Sequence, residues 1–162
     1  MNTAVIGDGG WGTALALLLL ENGHEVTLWS PFSHYAEILR KERANPLYLP
    51  GIALPNALKV TVDPAEAAQG VEAVILAVPS RYYAATLAKF RGHFSSGVLA
   101  VSVAKGFDPE NGSRLSETAE RVLGLPAVVV LSGPSHAEEV ARGLPTAVVA
   151  ACRDRVRAEK VQ

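Results

Sequence analysis

Apolar and polar positions along the chain fall into short β-rich runs separated by helix-length stretches. The runs that read as strands are Thr3–Ile6, Glu25–Trp29, Leu58–Val62, Ala73–Val78, Val98–Val103, Ala127–Leu131 and Thr146–Ala151. Several are unbroken Val, Ile, Leu and Ala without polar alternation, the pattern of strands covered on both faces. Between them the spacing predicts helices at residues 10–23, 33–43, 64–69, 81–92, 113–123 and 135–142. Such alternation implies right-handed βαβ units and a doubly wound, mostly parallel α/β sheet with helices on both faces.

Punctuation supports several of these ends. Gly23 suits a left-handed position just past the first helix, and Gly143 with Pro145 closes the last one. Asp63-Pro64 reads as a cap followed by proline at the first helical position. Residues 45–55 (NPLYLPGIALP) form an irregular connection, unusually long for a compact α/β domain. Two readings stand for it: a functional loop, or a proline-stiffened bridge between layers. No internal repeat or low-complexity tract is present.

Composition narrows the class. The 162 residues carry 15 Lys+Arg against 16 Asp+Glu, a net charge of −1, and 49% are hydrophobic. That is too apolar for disorder, and a chain of this length buries roughly 70% of its unfolded surface. The near-neutral balance argues against a nucleic-acid or membrane-surface binder, which would show a basic excess. The single cysteine, Cys152, can form neither an internal disulfide nor a zinc cluster alone. The longest apolar run, Ala14 to Leu20, falls well short of the ~20 residues that cross a bilayer. It sits behind a glycine turn, so no signal peptide is expected and the cytoplasm is the default location.

The strongest chemical signal is Gly7-Asp8-Gly9-Gly10-Trp11-Gly12, a G-x-G-x-x-G directly after a strand and opening a helix. In a dinucleotide-binding turn, Gly7 permits the tight turn and Gly9 lets a pyrophosphate approach the backbone. Gly12 then allows helix and strand to pack closely. The helix amino end offers unpaired N–H groups and a positive dipole to phosphates. Asp8 is an uncomfortable neighbour for a pyrophosphate and is tolerated if its side chain points to solvent.

NAD-preferring sites place Asp or Glu at the end of the second strand to hold the ribose diol. Here that stretch is Ser30-Pro31-Phe32, with no carboxylate and no arginine. NAD(H) and NADP(H) both stay open, with a lean toward NADP(H), because no carboxylate repels a 2′-phosphate. Ser30 suits either coenzyme. Further along, Pro79-Ser80 turns the chain across the expected cofactor cleft, and Ser80 suits a cap on the next helix. Lys105 closes a buried-looking strand, where an ammonium pairs with phosphate or polarises a carbonyl oxygen. Gly133-Pro134-Ser135-His136 ends the sixth strand, and Ser135 with Glu138 forms an S-x-x-E capping box.

These segments all follow strands, and in a doubly wound sheet the carboxyl ends of the strands share one ligand-binding edge. The edge holds no Ser/His/Asp arrangement. His24, His34, His93 and His136 have no metal-ligand spacing, so no metal is expected.

The residues of this edge resemble a known family. Residues 7–16 (GDGGWGTALA), 45–55, Val78-Pro79-Ser80, Lys105-Gly106 and 131–147 (LSGPSHAEEVARGLPTA) are similar to bacterial NAD(P)-dependent glycerol-3-phosphate dehydrogenases. The resemblance implies a Rossmann-like domain and reversible hydride transfer between NAD(P)H and dihydroxyacetone phosphate, giving sn-glycerol 3-phosphate for phospholipid synthesis. Carried over by motif, Gly10, Trp11, Lys105 and Ala137 contact the coenzyme, while Lys105, Gly133 and Ser135 contact the substrate. The family often has a basic residue or His after the second strand, where this chain has Pro31 beside Phe32.

In that family a helical carboxy-terminal domain supplies the lysine that takes the substrate's hydroxyl proton. Residues 1–151 are accordingly expected to form the dinucleotide-binding domain, and 152–162 the start of a connection to that further domain. No catalytic base is expected within the chain, so it should bind coenzyme with little or no turnover. A homo-oligomer is left open. A non-catalytic nucleotide-sensing module is the alternative from a different functional class.

Overall fold

The computed structural model describes residues Met1–Gln162. Its strands are β1 (Asn2–Ile6), β2 (Glu25–Trp29), β3 (Ala44–Asn45), β4 (Leu49–Ala53), β5 (Lys59–Thr61), β6 (Ala73–Leu76), β7 (Leu99–Ser102), β8 (Val129–Ser132) and β9 (Val149–Ala151). Its helices are α1 (Gly10–Glu21), α2 (Ser33–Glu42), α3 (Pro64–Ala68), α4 (Tyr83–Ala88), α5 (Leu115–Leu123), α6 (Ala137–Val140) and α7 (Arg155–Val161). A seven-stranded sheet runs in the order β5-β2-β1-β6-β7-β8-β9. All neighbours are parallel except β8 and β9. The expected doubly wound architecture is therefore present.

Strand order reverses between β1 and β6, because the chain builds outward through β2 and β5 before returning to β1's other side. Reversal opens a crevice at the carboxyl ends of these two strands. Each central strand feeds both layers. Ala4 and Ile6 pack with Trp29, Phe90, Leu115 and Ala119 on one face, while Val5 packs with Leu15, Leu17, Tyr35 and Leu39 on the other. Val74 and Leu76 against Ile75, and Ala100 against Val101, repeat that division. Double burial explains why these strands show no polar alternation.

Several boundaries differ from the sequence reading for local reasons. Ala127 adopts φ 47°, a left-handed conformation no strand allows, so β8 starts only at Val129. The final strand is shorter than Thr146–Ala151 and turns back antiparallel to β8. Residues 45–55 are a hairpin rather than an irregular connection: Ala44 pairs with Ala53 and Asn45 with Leu49. Its prolines disguise the strand, and they are tolerated because a two-stranded ribbon has only edge positions.

The helix ends match better. Asp63 Oδ1 accepts from Ala65 N at 2.9 Å, the expected cap ahead of Pro64. Gly23 (φ 79°) closes α1 as its N–H donates to Leu20 O and that of His24 to Leu19 O. Residues 152–162 include α7, which lies on the domain: Val161 joins the α1-side layer and Arg157 Nη1 donates to Val98 O at 3.0 Å. No helix is long and apolar enough to cross a membrane.

Candidate functional site

A cleft of about 960 Å³ opens over the β1/β6 crevice. Gly7, Gly9, Trp11 and Gly12 line its floor, Pro31 and Phe32 one end, Pro79 the middle, and Lys105, Ser135 and Ala137 the far side. The structure thus gathers most of the sequence-predicted residues, from five separate strand ends, around one space.

The glycines of the turn divide by what surrounds them. Gly7 has φ 114°, and a Cβ on it would lie 2.5 Å from Ala77 O, so both conformation and neighbour require glycine. A Cβ on Gly12 would strike the Gly7 carbonyl and crowd Ala77, the close helix–strand approach that the motif implies. A Cβ on Gly9 meets no protein atom within 4 Å. Its bareness serves no internal packing and leaves the backbone open toward the cleft. Gly9 stands at the N-cap of α1 with no side-chain cap, and the first turn has no acidic residue. The first internal bond is Thr13 N to Gly9 O, leaving the N–H groups of Gly10, Trp11 and Gly12 without intrahelical acceptors. Such a helix end on the cleft floor offers its free N–H groups and positive dipole to an anion.

Gly10 answers to a different neighbour. Its missing Cβ makes room for the backbone carbonyl of Tyr48, from the turn between β3 and β4. The same hairpin reaches beneath the glycine turn through Asn45. Asn45 Nδ2 donates to Asp8 O at 2.8 Å and to Thr13 Oγ1 at 2.7 Å, while its Oδ1 accepts from the Tyr35 hydroxyl at 2.5 Å and Tyr48 N at 3.2 Å. Asn45 and Thr13 are fully buried. The proline-containing segment is therefore a buttress for the turn. Nothing local marks Asn45 in the sequence, because Asp8 and Thr13 stand 37 and 32 residues away.

Asp8 does not point to solvent. It is 6% exposed, and its Oδ2 accepts from Ser30 Oγ at 2.6 Å. Burial pushes its carboxyl above its ordinary value, partly offset by the Ser30 hydroxyl and the local backbone. Ser30 in turn is fully buried, so its hydroxyl serves Asp8 rather than the cleft surface.

On the opposite side, Lys105 is exposed and its Nζ lies 3.5 Å from Gly133 O. Gly133 itself packs against the Ala147 carbonyl, 2.7 Å from where a Cβ would sit. The capping box expected of Ser135 and Glu138 does not form. Ser135 N and Oγ both turn back to Gly133 O, at 2.9 and 3.4 Å, closing a three-residue turn around Pro134. With Ser135 so engaged, α6 begins two residues later behind His136, which provides no side-chain cap. Ser80 likewise caps nothing: it opens a 3₁₀ turn, Ser80–Tyr82, ahead of α4. The wall formed there adds Tyr82, Thr86 and Lys89 to the cleft, with Lys89 Nζ 5.7 Å from the centre of the Trp29 ring. No group of three or more His, Cys, Asp and Glu is placed to hold a metal ion.

Comparison with known proteins agrees with this geometry. Residues 2–158 match the family described as NAD-dependent glycerol-3-phosphate dehydrogenase N-terminus. The glycerol-3-phosphate dehydrogenase [NAD(P)+] of Moorella thermoacetica is 45% identical over 159 residues, covering 98% of this chain and 47% of the relative. That of Chlorobium phaeobacteroides is 44% identical over 165 residues, covering 100% and 49%. A crystal structure of glycerol-3-phosphate dehydrogenase from Coxiella burnetii superposes with a TM-score of 0.92 at 32% identity, covering 99% of this chain and 49% of that one. The chain spans about half the length of the relatives it matches. With a family match over residues 2–158 and a relative 45% identical across 98% of this sequence, the chain belongs to the amino-terminal family of the NAD(P)-dependent glycerol-3-phosphate dehydrogenases.

Proposed function

We propose that these 162 residues bind NAD(H) or NADP(H) as the dinucleotide-binding half of a glycerol-3-phosphate dehydrogenase acting in the cytoplasm. The observation that carries this reading is the bare Gly9 backbone at the open amino end of α1, facing the cleft at the strand-order reversal. Pyrophosphate charge would meet the free N–H groups of Gly10 to Gly12, and the adenosine end would lie toward Pro31, Phe32 and the α4 wall. The nicotinamide, when bound, supplies the hydride chemistry.

The substrate reading is reversible reduction of dihydroxyacetone phosphate to sn-glycerol 3-phosphate. Lys105 stands beside Gly133 and Ser135, where an ammonium would pair with the substrate's oxygen or phosphate. Hydride leaves an alcohol carbon readily only as its oxygen loses a proton, so a base is needed. Lys105 serves binding in this reading, and the proton is handled by a lysine outside these residues.

Titration of NADH and NADPH into the purified chain, followed by nicotinamide fluorescence and then addition of dihydroxyacetone phosphate, tests the reading. Saturable coenzyme binding with little or no oxidation is expected. Failure of both coenzymes to bind would overturn the reading. Rapid turnover by these residues alone would overturn the assignment of proton transfer to an outside lysine.

A further inference from the structure

We propose that Asp8 sets coenzyme choice in favour of NAD(H), its carboxylate replacing the acidic residue that the end of β2 lacks. The proposal rests on the coenzyme reading above and concerns only which dinucleotide the cleft selects.

In an NAD site, a carboxylate at the end of the second strand accepts hydrogen bonds from the ribose diol. Here that strand end is Ser30, which carries no charge. The carboxylate comes instead from the adjoining turn. Asp8 Oδ2 lies 2.6 Å from Ser30 Oγ, one hydrogen bond from the position where the diol would be read. Asp8 lines the cleft and Ser30 is fully buried behind it, so the hydroxyl orients the carboxylate and the carboxylate faces the ligand.

The second oxygen is available. Asp8 Oδ1 accepts no hydrogen bond from another residue. Asp8 lines the cleft, where a ribose hydroxyl can donate to its carboxylate. No cation neutralises the group, since none of the ion pairs includes Asp8. A largely buried carboxylate with only neutral donors, the Ser30 hydroxyl and the local backbone, is costly to the fold, and such groups concentrate at functional sites.

The same charge disfavours NADP(H). A 2′-phosphate at the diol would face the carboxylate at close range in a partly water-excluded cleft. No basic side chain is offered by the Ser30-Pro31-Phe32 stretch to compensate. The cations lining the cleft are Lys89, held over the Trp29 ring, and Lys105, across the sheet at Gly133. The absence of acid after β2, read from sequence as favouring NADP(H), is thus made good by the glycine turn.

Fluorescence titrations of NADH and NADPH at fixed ionic strength into the wild-type chain, Asp8→Asn and Ser30→Ala test this. The wild type should bind NADH about tenfold or more tightly than NADPH, a gap of about 1.4 kcal/mol or more. Asp8→Asn should narrow the gap chiefly because NADPH binds better, a gain that damage to the fold cannot produce. Ser30→Ala keeps the charge but frees its orientation, so NADH should weaken several-fold while NADPH stays poor. Equal or tighter NADPH binding by the wild type overturns the proposal, as does equal weakening of both coenzymes in Asp8→Asn. Absence of binding by either coenzyme to the wild type would overturn the coenzyme reading itself, and this proposal with it.

Discussion

Asn45 Nδ2 donates to the backbone carbonyl of Asp8 at 2.8 Å, tying the β3–β4 hairpin to the glycine turn. One amide side chain also holds Thr13, Tyr35 and Tyr48, so the turn's shape depends on a segment more than thirty residues away.

Asn45→Ala should therefore destabilise the chain by about 2–4 kcal/mol. Truncation leaves the Asp8 carbonyl and the Tyr35 hydroxyl short of partners in a buried network, and orphaned polar groups cost more than a hydrogen bond contributes. Urea unfolding measures the loss. Coenzyme affinity should fall as well, under conditions where the variant is still folded, because the turn loses its support. An unchanged unfolding midpoint would show that the network does not hold the turn.

Gly9→Ala and Gly12→Ala should separate a ligand role from a packing role within one motif. At Gly9 a methyl meets no protein atom and the backbone is extended (φ −65°, ψ 171°), so stability should stay within ~0.5 kcal/mol. Coenzyme affinity should nevertheless drop about tenfold, because the methyl occupies the approach to the α1 amino end. At Gly12 the methyl collides with the Gly7 carbonyl, so stability should fall by roughly 2 kcal/mol or more despite alanine's better helix propensity. Thermal melts alongside titrations distinguish the two, and a Gly9→Ala variant that binds normally would remove Gly9 from the site.

The contrast also shows how far local sequence reaches. Gly7 and Gly12 could be assigned their jobs from spacing alone, because their constraints come from the strand–turn–helix unit itself. Gly10 could not, because its constraint is the carbonyl of Tyr48, delivered by a hairpin whose prolines hide it. Ser135 misled for a related reason: Pro134 beside it favours a three-residue turn, and that turn consumes the donors a cap would use. Asp8 was legible as an oddity but not as a solution, since Ser30, its partner, is 22 residues away. The sheet, by contrast, was readable nearly throughout, as burial on both faces leaves its mark in every central strand.

Lys105→Met should leave stability within ~0.5 kcal/mol, because the side chain is exposed and reaches only the Gly133 carbonyl at 3.5 Å. Coenzyme binding should weaken several-fold, and the deficit should shrink as salt is raised, since an exposed ammonium acts on phosphate through screened charge. Titrations at low and high ionic strength check this. A deficit independent of salt would assign Lys105 a packing role instead.

The buried Asp8 carboxyl should reveal itself in the pH dependence of stability. Burial raises its value in the folded chain, so the folded state holds the proton more tightly than the unfolded state does. Between the two values the native chain binds more protons, and stability attributable to Asp8 falls as pH rises through that window. Above that window the ligand-free fold carries the charge at a net cost, with no cationic partner to offset its burial. Asp8→Asn removes the charge while keeping the shape and an acceptor for Ser30 Oγ. It should raise the melting temperature of the ligand-free chain at pH 7. The advantage should shrink on acidification and vanish below the ordinary aspartate value, where both states of the wild type are protonated. Comparing variant with wild type at each pH cancels the contributions of Asp108 and Glu117, whose values are lowered by their Thr118 and Arg114 partners and which act with the opposite sign. Saturating NADH should narrow the variant's advantage at pH 7, because the wild type then gains binding energy that the neutral side chain partly forgoes. A variant less stable than the wild type at every pH would mean that the Asp8–Ser30 bond supports the fold more than it serves the ligand.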